Sequence, residues 1–151
     1  MIKTLQLFHL AFLGGQVVLA AATYFLNQND LAPRNQDLES TFTVLVPVAL
    51  FGGLMGSRII FNSLLQRMAT AKSTLAEKMN AYRSATIIRF GIMEMPVVLA
   101  LIAYLLTGNI FFWGGGLIVG AFFILLRPSL GRAAQELGLS DSEYQELEKT
   151  Q

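Results

Sequence analysis

From Ile87 to Leu106, "IIRFGIMEMPVVLALIAYLL", an apolar run holds a single acid, Glu94, with Pro96 two residues later. Burying a carboxylate in hydrocarbon is expensive, so an acid in such a run is by default a functional-site hypothesis. The chemistry open to it is reversible binding of a proton. Arg89 lies five residues earlier, about 140° around a helix and roughly 7.5 Å along it, so the two do not face each other. Arg89 is instead expected to snorkel to lipid headgroups. Pro96 cannot donate a backbone hydrogen bond, so the Ile92 carbonyl loses its usual partner and the helix is expected to break beside the acid. Interrupted helices mark the binding sites of many transporters. The competing reading makes Glu94 structural: it pairs with a polar residue on another helix and locks the bundle.

Candidate partners lie in the first apolar run, where His9, Gln16 and Thr23 recur every seven residues and share one helical face. A polar stripe in a membrane helix is expected to face protein and not lipid. Gln16 falls near the depth of Glu94, so a Gln16–Glu94 hydrogen bond is the expected contact, and His9 is read as an interfacial residue. With one His and no Cys, no haem, transition-metal or other cofactor site is expected. No nucleophile elbow, phosphate loop or catalytic carboxylate pair is present in the sequence, so an enzyme is not expected.

The elements that would position these residues follow from composition. The 151 residues are 54% hydrophobic and 14% charged, more apolar than ordinary soluble domains. A net charge of +1 without a basic stripe argues against nucleic-acid binding. The expected fold is all-α, a polytopic membrane protein with four transmembrane helices near Leu5–Leu26, Phe42–Phe61, Ala85–Leu106 and Asn109–Leu126. The first run is too long for a signal peptide and ends without a cleavage-like site, so it is read as a retained helix. Residues 1–128 form this domain, and 129–151 a short soluble amphipathic tail. Ser140 and Glu143 read as a capping box, with Leu139 and Tyr144 as its hydrophobic staple, opening a helix to about Glu148. Residues near 59–84 are expected to form a helical hairpin beyond the bilayer, its tip near Thr70–Ser73. Lys and Arg concentrate in that hairpin, which predicts that it and both termini are cytoplasmic, in a bacterial inner membrane.

An offset of 80 brings Val17-Val18-Leu19-Ala20 onto Val97-Val98-Leu99-Ala100 and Gly14 onto Glu94. If this is a duplication, two parallel helical hairpins result, related by a pseudo-two-fold along the membrane normal. Gly52 with Gly56, and Gly116 with Gly120, read as helix-packing pairs, within one chain or in a homo-oligomer or a larger membrane complex. Pro47 is a second expected helix break. Arg58, at the end of the second span, is read as a lipid-headgroup anchor.

The passage "YRSATIIRFGIMEMPVVLALIAYLL" resembles the second helix of the rotary ATP synthase c subunit (proteolipid) family, and "FGGLMGSR" is loosely similar to that family's glycine-rich first helix. The resemblance covers residues 44–106 and implies an ion-binding carboxylate at Glu94 that takes a proton or Na⁺. Two expectations result: an ion- or solute-linked membrane component using Glu94, or a non-catalytic scaffold or accessory subunit whose hairpin and tail bind partners.

Overall fold

The computed structural model describes residues 2–68 and 73–149. Among these the chain is all-α: α1 (Ile2–Gln28), a 3-10 turn (Gln36–Leu38), α2 (Glu39–Met68), α3 (Leu75–Thr107), α4 (Ile110–Leu125), α5 (Leu130–Leu137) and α6 (Asp141–Lys149). Three helices, α1, α2 and α3, are long and apolar enough to cross a membrane. The fourth span is shorter than expected. With 16 residues, α4 reaches spanning length only together with α5, from which it is bent by 87°. Large apolar side chains such as Leu7, Val18, Val44, Val48 and Phe111 cover the outside of these helices, as contact with lipid requires.

Local chemistry sets the ends. Thr74 and Glu77 form a capping box, the Thr74 N–H donating to Glu77 at 2.7 Å and the Glu77 N–H to the Thr74 hydroxyl at 3.4 Å. Gly108, at φ 75°, closes α3 in the left-handed conformation that glycine adopts without strain. Asn109 then caps α4, accepting from the Phe111 N–H at 3.0 Å. Ser129 caps α5 and Gly138 ends it at φ 61°. The Ser140–Glu143 box opens α6, with bonds of 2.8 and 3.4 Å. The hairpin tip expected near Thr70–Ser73 falls mostly on residues 69–72, outside the described residues.

Helix α3 is the axis of the bundle and packs against α1, α2 and α4. The packing does not repeat as two equal hairpins, because α1 takes α3 and not α2 as its main neighbour. Its cross-contacts, Gln16 to Glu94 and Asn27 to Tyr104, hold α1 parallel to α3 at sequence separations of 78 and 77. The two helices that share the repeated residues therefore lie side by side, nearly in register.

Both prolines expected to break helices lie inside continuous ones, Pro47 within α2 and Pro96 within α3. For Pro96 the accommodation is visible. A Cβ on Gly53 would stand 2.5 Å from the proline ring and 3.4 Å from the Ile92 carbonyl, so only glycine leaves room for the ring. Gly53 is thus the close-approach residue of α2. The expected pair is displaced from that contact, since nothing lies within 4 Å of a Cβ placed on Gly52 or Gly56.

The tail is not a separate soluble end. Ala133 and Leu147 are buried in one apolar cluster with Ile2, Leu5, Phe61 and Tyr82, so the start of α1, the α2–α3 hairpin and the tail meet at one end of the bundle. Lys78 pairs with Glu143 at 2.6 Å across this contact. Leu147 and Ala133 are buried while the charged face of α6 stays outward and solvated.

Candidate functional site

The candidate site forms where the polar stripe of α1 meets α3. His9, Gln16, Thr23 and Asn27 are all buried, each facing protein. Asn27 donates to the Tyr104 carbonyl at 2.8 Å, and His9 donates through Nε2 to the Phe123 carbonyl at 2.8 Å while stacking on the Phe123 ring. Thr23 turns back to its own helix, donating to the Ala20 carbonyl at 3.1 Å. Trp113 of α4 donates to the same carbonyl at 3.0 Å.

Gln16 and Glu94 sit between these clamps. The Gln16 carboxamide donates through Nε2 to the Glu94 carboxylate. Gln16 is 5% exposed and its Oε1 has no hydrogen-bond partner, a costly state for a buried acceptor. Glu94 is half-buried, so one face of the pair opens outward. Beside it lies a cavity of about 290 Å³, lined by Gln16, Leu13, Val97, Leu101, Gly116 and Gly120.

The glycines of α4 shape this space. A Cβ on Gly120 would come within 2.9 Å of Gln16 Oε1, and one on Gly116 within 3.3 Å of the Ala100 Cβ. Gly116 permits close helix packing, whereas Gly120 leaves room for the amide that holds Glu94. That second role was not legible in the Gly-x-x-x-Gly spacing, which reports backbone approach and carries no sign of which side chain fills the gap.

The basic residues divide. Arg58 is exposed on α2, whereas Arg89, expected to snorkel to headgroups, is turned inward against the tail. Its side chain is only 14% exposed, 3.5 Å from Glu136 of α5, and its guanidinium carbon lies 4.7 Å from the centroid of the Phe61 ring. The tail supplies the acid that draws it in. Glu136 also accepts Arg132 at 3.4 Å, a partnership hidden from sequence because it depends on α5 folding back across the bundle end.

Among the described residues no group of three or more His, Asp or Glu side chains could hold a metal ion. The site offers one carboxylate, one amide and an apolar cleft. It can accept and return a proton, or lock two helices together. No protein-family model, curated protein or solved structure matches the chain.

Proposed function

We propose that this integral membrane protein is an ion- or solute-linked component in which Glu94 carries a proton, with Gln16 as its hydrogen-bond partner. The observation that supports this reading is the unpartnered Gln16 Oε1 beside a carboxylate that already accepts from the same amide. An ionised Glu94 uses the amide N–H, and a protonated Glu94 could donate its O–H to the idle Oε1 after a small rotation. The carboxyl therefore has a hydrogen bond to the amide in each protonation state, and protonation supplies the donor that Oε1 lacks. A proton is favoured over Na⁺, because a hard cation takes several oxygen ligands and this pair supplies a carboxylate and one amide oxygen. The idea of an exchanging carboxylate is also what the proteolipid resemblance implies, and only Glu94 carries it.

A second reading has its own support. Asn27, Trp113 and His9 also bridge helices from side chain to backbone, so Glu94–Gln16 would be one clamp among several in an accessory subunit. The exposed Gly52–Gly56 face would then meet a second copy or a partner helix.

The readings separate in reconstituted vesicles under an imposed pH gradient, with flux read by an internal pH-sensitive dye. Proton carriage predicts that Glu94→Gln abolishes flux and leaves the melting temperature nearly unchanged, since glutamine keeps the shape and a hydrogen bond. Absence of flux in the parent, with a large loss of stability in the variant, would overturn proton carriage in favour of the clamp. Carbodiimide labelling of Glu94 that diminishes as pH rises is the expected companion result.

A further inference from the structure

A second cleft, separate from the Glu94 pair, lies between the first turns of α1 and the C-terminal end of α4, with a volume of about 500 Å³. Its polar rim carries Lys3, Gln6, His9 and Arg127, and its wall is made by Leu7, Leu10, Leu13 and Ile124. The two charged residues are both cations, and no acid lines the cleft. Their position matters as much as their sign. They stand at the bundle end that gathers the start of α1, the hairpin and the tail, where spanning helices leave the hydrocarbon.

The end of a helix normally presents unsatisfied carbonyls, whose partial negative charge would repel an anion. Here side chains and turns cover the last three of α4 and the Pro128 carbonyl in the turn beyond it. Phe123 accepts from His9 at 2.8 Å, Leu125 from the Arg132 guanidinium, Ile124 from the Arg127 N–H at 3.3 Å, and Pro128 from Gln6 at 3.0 Å. These bonds also fix the turn that carries Arg127. Arg132 is occupied with Glu136, whereas the Arg127 guanidinium forms no ion pair among the described residues. A positioned cation thus stands above an apolar trough with no protein acid to meet it.

We propose that this cleft binds an anionic phospholipid of the surrounding leaflet, its phosphate held by Arg127, with Lys3 adding positive charge at the rim and one acyl chain lying along Leu7, Leu10, Leu13 and Ile124. Charge complementarity selects the headgroup, since basic pockets between membrane helices bind anionic lipids. The leucine wall selects a lipid over a soluble anion, because burying hydrocarbon there gains free energy that inorganic phosphate cannot supply. Gln6 and His9 stay committed to carbonyls and serve to hold the rim.

Native mass spectrometry of the full chain released from detergent micelles tests this, with phosphatidylglycerol and phosphatidylcholine of the same acyl chains added in titration. The parent is expected to bind phosphatidylglycerol roughly 30-fold more tightly than phosphatidylcholine, about fivefold for each cation near a headgroup. The Arg127→Gln variant is expected to lose about fivefold, and Lys3→Gln with Arg127→Gln nearly all of the preference. Arg67→Gln with Arg83→Gln, exposed cations outside the cleft, should retain it. Equal affinity for the two lipids, or equal loss in the distant pair, would overturn the site. Inorganic phosphate is a separate arm: competition by millimolar phosphate in the parent would mean a free-anion site and overturn the lipid assignment. Each variant's melting temperature, expected within a few degrees of the parent, guards against misfolding as the cause of a loss.

Discussion

At the residue scale the contact between Gln16 and Glu94 depends on an atom that is not there. Gly120 has no side chain, and the Gln16 amide oxygen occupies the space a Cβ would take. Replacing Gly120 with alanine puts a methyl group 2.9 Å from that oxygen, too close for ordinary contact, so the end of the Gln16 side chain must shift and its hold on the carboxylate is expected to weaken. Gly120→Ala should therefore mimic Gln16→Ala in any flux or carbodiimide assay, while Gly14→Ala, with open space around it, should leave both readouts unchanged. Equal behaviour of Gly120→Ala and Gly14→Ala would refute the positioning role. The same logic ranks the glycines of α2. Gly53→Ala drives a methyl to 2.5 Å from the Pro96 ring and should cost about 1–3 kcal/mol by overpacking. Gly52→Ala meets nothing and should gain up to about 1 kcal/mol from reduced backbone entropy in the unfolded chain. Thermal unfolding in detergent should order the variants as Gly52→Ala above parent above Gly53→Ala, and the reverse order would refute the packing argument. The sequence did mark Glu94 and the seven-residue stripe on α1, because polar residues stand out against an apolar background. It could not mark Gly53 over Gly52, since adjacent glycines differ only in azimuth and azimuth is set by the partner helix.

At the scale of elements, the contact between α6 and the hairpin has a built-in dependence on acid. The Glu143 carboxyl is held at about 2, against an ordinary 4.5, first by the bond from Lys78 and then by the Ser140 backbone and hydroxyl. A carboxyl depressed in the docked state contributes stability that is fully present above its ordinary value and is lost as pH falls through the docked one. Docking should therefore be flat from neutrality to about pH 5 and weaken from there towards about pH 2. A nitroxide on a cysteine introduced at exposed Gln145, in a chain with no other cysteine, would report the change as rising mobility. In Lys78→Met much of that acid response should disappear, because the first cause of the depression has been removed; an unaltered acid profile in this variant would count against the pair. The capping signals of α6 were legible, as Ser140 and Glu143 stand three residues apart before a polar helical run. Docking was not, because its fully buried apolar residues are one leucine, Leu147, and Ala133, a residue too small to announce a face, with Leu130, Leu137 and Leu139 only partly buried beside them. The helix α5 between Ser129 and Gly138 carries its own start and stop residues, and those were available to read.

At the scale of the molecule the open matter is the crossing of α4. Its 16 residues span about 24 Å at 1.5 Å per residue, short of a hydrocarbon core of about 30 Å. The contacts nevertheless carry it from one end to the other. Trp113 lies against Ala20, deep along α1, while Phe123 lies against His9 and Pro128 against Gln6, near the start of α1. A short span is accommodated by local thinning or by flanking polar residues reaching to the interface, and Arg127 with the 87° turn into α5 supplies such a flank. Cysteines introduced singly at Ser73, Ser140 and Gln36 test the path with a membrane-impermeant maleimide applied to intact cells and to inverted vesicles. If α4 crosses, Ser73 and Ser140 react from the same side and Gln36 from the other, and the excess of Lys and Arg in the hairpin predicts reaction of the first two in inverted vesicles. Reaction of Ser140 together with Gln36 would mean that α4 turns back within the membrane. In that case the tail could not reach the hairpin, the Lys78–Glu143 pair would be impossible, and the lipid cleft would lose the end of α4 that forms it.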